Sequence, residues 1–108
     1  MREETRRAIA FEAAHRINGR APTTLFSLAR GVHTIMSPGY DHEAGAGFTV
    51  SDTTIFHHGT DSHIDLVVAA TKFTGYDFGA AHHFAGIVDG ATVEVFDYGE
   101  DRTYKYYV

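Results

Sequence analysis

The chain has 108 residues, and its eight histidines are the side chains best suited to chemistry. They are His15, His33, His42, His57, His58, His63, His82 and His83. Imidazole changes its charge near neutral pH and is the commonest metal ligand in proteins. Three interpretations therefore compete: an acid–base site, a metal site, or side chains that only pack or face solvent.

The first interpretation is a general acid–base site made of His82, Asp97 and Tyr104. A carboxylate opposite an imidazole fixes its tautomer and raises its basicity, and a neighbouring phenol can donate to a developing oxyanion. Such an enzyme would catalyse a proton transfer or a hydrolysis without a cofactor. The alternative is an ordinary cross-strand pair of His82 and Asp97, with Tyr104 packed beside it.

The second interpretation is a metal site near a turn, formed by His58 and His63 with a neighbouring aspartate. Zinc needs three or four ligands, and adjacent histidines on a regular strand point to opposite faces. No spacing matches an established signature such as HExxH. We therefore expect no metal, with His58 and His63 as the candidates if one binds. A second version of the site would combine three other residues: His57, His82 and Asp97.

Other kinds of chemistry have little support. The chain has no cysteine, which excludes disulfides, thiolate metal sites and cysteine nucleophiles. No G-x-S-x-G elbow or phosphate-binding glycine loop is present. The net charge of −5 argues against general nucleic-acid binding, which depends on basic side chains. The N-terminal residues are followed by no long apolar run, so neither a signal peptide nor a membrane span is predicted.

The clearest structural signal is a hairpin near the end of the sequence. Residues His82–Val88 and Ala91–Tyr98 alternate in polarity around Asp89-Gly90, a dipeptide typical of a two-residue type I′ turn. With that turn, His82 lies opposite Asp97.

A third strand extends this hairpin into a meander. A turn over Gly99–Arg102 leads into Thr103–Val108 and places Tyr104 opposite Asp97, which completes the predicted acid–base row. The remaining side chains of this face are apolar and predict a core: Phe84, Val88, Val93, Val95, Tyr106 and Val108.

The N-terminal segment Glu3–Asn18 predicts a helix. One broad arc carries small and apolar side chains, the other polar ones, and Asn18-Gly19 supplies a left-handed C-terminal cap. Residues 1–30 contain six arginines and three glutamates, whereas residues 31–108 contain three basic and eleven acidic side chains. A basic helix against an acidic sheet is one interpretation, and separately solvated faces are the other.

The middle of the chain is less regular. Strands are predicted over Val32–Met36, Phe48–Val50, Thr53–His58 and His63–Thr71. Three segments are less regular. Leu25–Arg30 is either a single-turn helix or a short strand, with the helix favoured. A mobile loop is expected over Tyr40–Gly47 and an irregular lid over Lys72–Ala81. No internal repeat is visible.

These elements predict one α+β domain spanning residues 1–108. Its N-terminal helix would pack on a curved antiparallel β-sheet of five or six strands that ends in the three-stranded meander. Which sheet face the helix covers stays open.

The function predicted from the sequence is a small, soluble, non-catalytic binding or interaction domain. Its concave end, lined by His57, Phe84 and Tyr106, would take a small ligand or a protein partner. No cofactor, membrane or general nucleic-acid partner is expected, and the predicted location is cytoplasmic. The final strand, as a sheet edge, makes a homodimer plausible. The alternatives are the small enzyme and the histidine-based metal-binding protein described above.

Overall fold

A computed structural model describes the whole chain, residues 1–108. It has one helix, α1, over Glu3–Asn18, as the sequence predicted, and Gly19 caps it with a φ angle of 77°. The ten strands are β1 Thr24–Ser27, β2 Val32–Ser37, β3 Tyr40–Asp41, β4 Ala46–Val50, β5 Thr54–His57, β6 Ser62–Ala69, β7 Lys72–Asp77, β8 His82–Asp89, β9 Thr92–Asp97 and β10 Arg102–Tyr107. The helix is neither long nor apolar enough to span a membrane.

The strands form a closed antiparallel barrel. Each pairs with its neighbours in sequence, and β1 also pairs with β10, where Phe26 lies opposite Tyr107. The predicted open sheet of five or six strands is therefore wrong. The three segments expected to be helix, loop and lid instead supply wall strands, namely β1, then β3 with β4, and finally β7.

The helix lies inside the barrel. Every residue from Thr5 to Ala14 is buried, and α1 contacts strands that are distant from one another around the wall, including β3, β6 and β9. Successive helical residues point about 100° apart, so ten consecutive buried residues require cover on every side. Even Glu12, on the polar arc of the helix, is only 6% exposed.

Small side chains make room for this helix. Ala8, Ala10, Ala13 and Ala14 keep α1 narrow. On the wall, Gly75 lies opposite Phe84 and Gly86 opposite Phe73. A Cβ atom at either glycine would overlap the ring of its opposing phenylalanine and a backbone carbonyl oxygen.

The wall consists of five hairpins with equivalent turns, a repeat that sequence analysis missed. Each eight-residue unit begins with an outward aromatic residue, continues with an inward capping residue, and then makes a four-residue turn. The fourth turn residue always has a positive φ, between 53° and 65°. The units are Phe26–His33, Tyr40–Gly47, Phe56–His63, Tyr76–His83 and Phe96–Thr103. All five turns lie at one end of the barrel, here called the turn mouth.

The predicted register of the meander is wrong by two residues. The β8–β9 loop consists of Gly90 and Ala91, and only Gly90 has a positive φ, so the turn is not the predicted type I′. Asp97 consequently lies opposite Phe84 rather than His82. The predicted faces are retained because the shift is an even number of residues.

Candidate functional site

The predicted acid–base row is not formed. His82 pairs with Asp77 and is exposed, whereas Asp97 pairs with Arg102 and is fully buried. Tyr104 pairs with Val95. The barrel register thus separates the imidazole from the carboxylate that was expected to orient it.

Asp97 and Tyr104 do meet, but around an arginine. Asp97 Oδ2 lies 3.2 Å from Arg6 Nη1 and 3.3 Å from the Met1 amino nitrogen. The Arg6 guanidinium also lies 3.7 Å from the centre of the Tyr104 ring, and the Tyr104 hydroxyl donates to Glu100. Catalysis by His82, Asp97 and Tyr104 stays a prediction, but the cross-strand row on which it was based is not present.

The predicted ligand-binding residues line the space that the helix fills. His57 and Tyr106 are 0% exposed, and Phe84 is 1% exposed. The Tyr106 hydroxyl donates to Glu3 Oε1 at 3.0 Å, and burial together with the charge of Glu3 raises the pKa of Tyr106. These side chains pack and position α1, which leaves a ligand no space beside them.

His57 is the only fully buried histidine. Its Nδ1 accepts from the Thr60 backbone N–H at 3.3 Å, and its ring stacks on Phe48 with an interplanar angle of 16°. Its Nε2 has no hydrogen-bond partner. Burial disfavours the charged imidazolium and lowers the pKa of His57 below its reference value of 6.5.

We expect His57 to make stability pH-dependent. Because its folded-state pKa is lowered, the unfolded chain binds the proton more readily, and the stability His57 confers is present above about pH 6.5. That stability is lost as the pH falls from there through the folded-state pKa. Urea unfolding at a series of pH values should show a shallower pH dependence for His57→Asn, which keeps an acceptor for the turn.

His63→Asn is the matched control, because His63 is exposed and lies on the next strand. It should keep the pH dependence of the wild type. If His57→Asn and His63→Asn behave alike, buried His57 is not the titrating group.

The hairpin repeat accounts for seven of the eight histidines, all except His15. They occupy four positions within the units. His33, His63 and His83 lie opposite the aromatic residue. His42 and His58 are the first residues of their turns, His57 is an inward capping residue, and His82 begins the second strand of its unit. Packing and turn formation therefore explain the placement of these side chains without a shared chemical role.

The two metal candidates lie apart in the structure. His58 sits in a turn with Nε2 2.8 Å from Thr49 Oγ1, whereas His63 pairs with Phe56 and lies 3.9 Å from Asp65. No group of three or more histidine, cysteine or acidic side chains is arranged to hold a metal ion.

The turn mouth contains a buried ionic network around the start of α1. Arg7 Nε donates to Asp41 Oδ2 at 2.7 Å, and Glu43 lies 3.4 Å from Arg7 Nη1. Arg6 binds Asp97 in the equivalent way. Of the two interpretations of the charge distribution, contact between basic helix residues and acidic wall residues is the one observed at Arg6 and Arg7, but inside the barrel.

The inward capping residues also hold the turns, and two of them, Asp41 and Asp97, pair with the arginines as well. Asp41, Asp77 and Asp97 each accept turn N–H groups through Oδ1, and Ser27 and His57 accept one each. Short aspartate side chains suit this role because they reach the backbone two and three residues ahead. An aromatic residue followed by Asp, Ser or His at five places was the sequence signal for the repeat.

The largest concavity lies on the outer wall, here called the outer groove. It has a volume of about 610 Å³ and is lined by residues of β6, β7 and β8 and by Tyr98 of the β9–β10 turn. Two cross-strand pairs of β7 and β8 lie side by side in the groove. Thr74 and Ala85 form the smaller pair, and Tyr76 and His83 form the larger one. Tyr98 adds a second aromatic border.

The aromatic side chains of the outer groove are already organised. The rings of Tyr76 and His83 meet edge to face at 4.8 Å, and those of Phe96 and Tyr98 at 4.7 Å. Tyr98 is nevertheless 57% exposed. Asp65 and His82 place polar groups at the same concavity.

The predicted sheet edge does not exist. Strand β10 is hydrogen-bonded to β9 on one side and to β1 on the other. A homodimer formed by edge pairing is therefore not available to the closed barrel.

The fold and site together define a class: an up-and-down barrel of five hairpins wrapped around its own N-terminal helix, with a groove on the outer wall. Comparison with protein-family models, curated proteins and solved structures returned no significant match.

Proposed function

We propose that the chain is a non-catalytic binding domain whose outer groove takes a small, planar organic molecule. The observation that carries this proposal is a concavity of about 610 Å³ bordered by the rings of Tyr76, His83 and Tyr98, of which Tyr98 is 57% exposed. Small-molecule sites are typically clefts of 300–1,000 Å³ with mostly apolar walls and a few polar groups.

The filled interior supports the same location. Small barrels can hold one ligand in the lumen, but here α1 occupies that space and buries the side chains that would line it. The outer groove is the concavity in which aromatic rings remain available for contact.

The chemistry of the outer groove favours a planar ligand. The edge-to-face pair of Tyr76 and His83 forms a rigid wall, and Tyr98 forms a more exposed one. A flat apolar body placed between them would bury aromatic surface from both. The Asp65 carboxylate can accept a hydrogen bond from an N–H or O–H of the ligand.

Titration with indole, followed by NMR, tests the proposal. Indole is planar, uncharged and carries one N–H donor. We expect saturable shifts confined to Thr74, His83, Ala85 and Tyr98, and Tyr98→Ala should weaken binding by about tenfold, equivalent to about 1.4 kcal/mol.

Leu28→Ala is the control for Tyr98→Ala. Leu28 occupies the equivalent turn position and is similarly exposed, at 55% against 57%, but lies outside the outer groove. It should leave indole binding unchanged. Equal weakening by the two variants, or shifts spread over the whole surface, would refute the proposed site.

A further inference from the structure

The five inward capping residues surround α1, but their remaining polar atoms are not equally satisfied. Asp41 Oδ2 is paired with Arg7, and Asp97 Oδ2 with Arg6. Asp77 caps its turn in the same way, with Oδ1 accepting from the Gly79 N–H at 2.9 Å. No ion pair or hydrogen bond engages Asp77 Oδ2, although Asp77 is only 2% exposed.

This asymmetry follows from the direction of the arginines. Arg6 extends toward the β9–β10 hairpin, and Arg7 extends toward the β3–β4 hairpin. The β5–β6 and β7–β8 hairpins lie on the other side of α1 and receive no basic side chain from it. The equivalent carboxylate is present there, and its cation is missing.

A pocket of about 580 Å³ lies at this place, here called the mouth pocket. Its lining is rich in oxygen: the carboxylates of Asp61 and Asp77 and the hydroxyl groups of Thr5, Thr60 and Ser62. Thr60 Oγ1 is buried without a hydrogen-bond partner. The lining therefore includes Asp77, whose carboxylate has one oxygen without a partner in the protein.

We propose that the mouth pocket binds a small polar molecule through a primary ammonium group. An ammonium has three N–H donors and no acceptor, which suits the oxygens that the lining offers, namely Asp77 Oδ2, the Asp61 carboxylate and the Ser62 hydroxyl. Hydrogen bonds to a charged group are stronger than those between neutral groups. The pocket is larger than an ammonium group, and its hydroxyl groups suit a polar body. This site is separate from the outer groove and does not depend on it.

The start of α1 does not oppose this ligand. A helix N-terminus carries partial positive charge, but Glu3 and Glu4 lie in the first turn and offset it. Arg2 reaches the rim of the mouth pocket, where its side chain is 70% exposed and 3.9 Å from Glu4. Among the lining residues, Met1 also carries a cation, but its amino nitrogen lies 3.3 Å from Asp97 Oδ2. Arg2 is therefore the basic side chain of the lining that could compete for Asp77, and it has to be tested.

Titration with ethanolamine, followed by amide shifts in NMR, tests the proposal. We expect saturable shifts at Thr60, Ser62, Gly79 and Ala80. Asp77→Asn should weaken binding by about tenfold or more, because it removes the charge while its amide oxygen still caps the turn. Ethylene glycol, which has the same size without the charge, should give no saturable shifts.

Asp89→Asn is the matched control, since Asp89 is an exposed carboxylate outside the mouth pocket. It should bind ethanolamine as the wild type does. Equal binding by Asp77→Asn and the wild type would overturn the proposal, as would equal responses to ethanolamine and ethylene glycol.

Two further measurements distinguish an ammonium ligand from other occupants of the mouth pocket. Saturable shifts at these amides with calcium chloride but not with ethanolamine would overturn the proposal in favour of a metal ion. Binding seen only in Arg2→Ala would overturn it because Arg2 would then be the natural partner of Asp77.

Discussion

Replacing Arg7 by methionine should destabilise the protein by about 3–5 kcal/mol, the usual loss when one partner of a buried ion pair is removed. Asp41 is 0% exposed and would keep its charge with no cation beside Oδ2. Urea unfolding monitored by circular dichroism measures the loss. The double variant Arg7→Met/Asp41→Asn should recover most of it, because it leaves no unpaired charge and retains the Asn Oδ1 acceptor for the turn.

Arg30→Met is the control for this experiment. Arg30 pairs with Glu43 at 2.6 Å, but the two side chains are 35% and 34% exposed. An exposed pair contributes at most about 1 kcal/mol, since solvent screens it. If Arg7→Met and Arg30→Met are equally destabilising, burial of the ionic network is not what stabilises the turn mouth.

Gly75→Ala should destabilise the barrel by about 3 kcal/mol or more, at or beyond the upper end of the usual range for overpacked cores. The added Cβ would overlap the Asp65 carbonyl oxygen and the Phe84 ring. The ring can shift, but the carbonyl belongs to the paired backbone of β6 and cannot. Gly75→Ala/Phe84→Leu should therefore recover only part of the lost free energy of unfolding.

Gly90→Ala separates this effect from the general effect of replacing a glycine. Gly90 has a φ of 56°, and a Cβ there would meet nothing within 4 Å. Its replacement should destabilise by about 1–2 kcal/mol, through backbone strain alone. A smaller loss for Gly75→Ala than for Gly90→Ala would contradict the packing account.

Local patterns predicted the long elements of this fold well. The alternation in β6, β8, β9 and β10 and the cap at Gly19 were sufficient to identify those strands and the helix. The predicted register was wrong at Asp89-Gly90-Ala91, because Asp89-Gly90 and Gly90-Ala91 can each form a two-residue turn. Choosing the wrong one displaces every pair by two residues, which separated His82 from Asp97.

The missed strands share a physical cause. Strand β3 has two residues, β1 has four, and β7 contains the inward Gly75. Such segments have little periodicity of their own, and they become strands because hydrogen-bonded neighbours lie on both sides. The repeat that unites them rests on turn geometry, which Gly, Asp and Ala all satisfy at the fourth position.

The site was predictable only in part. The interior role of Asp97, Tyr104, Tyr106 and Phe84 followed from alternation, because alternation identifies the inner face. Their partners did not, since Arg6 and Arg7 appear on a helix whose pattern is compatible with covering a sheet from one side. The outer groove depends on Tyr76 and Tyr98 from different hairpins, and the pairing of β7 with β8 and of β8 with β9 brings them to one side of the wall.

The pairing of β1 with β10 also constrains how this protein reaches its native state. This seam is short, with Phe26 opposite Tyr107 and Ser27 opposite Tyr106, and it joins residues that are far apart in sequence. Pairing of such distant residues has an entropic cost and is associated with slower folding. Since the wall surrounds the length of α1, we expect the seam to close around a helix that is already in place. We therefore expect the wall and the enclosed helix to form in one cooperative event.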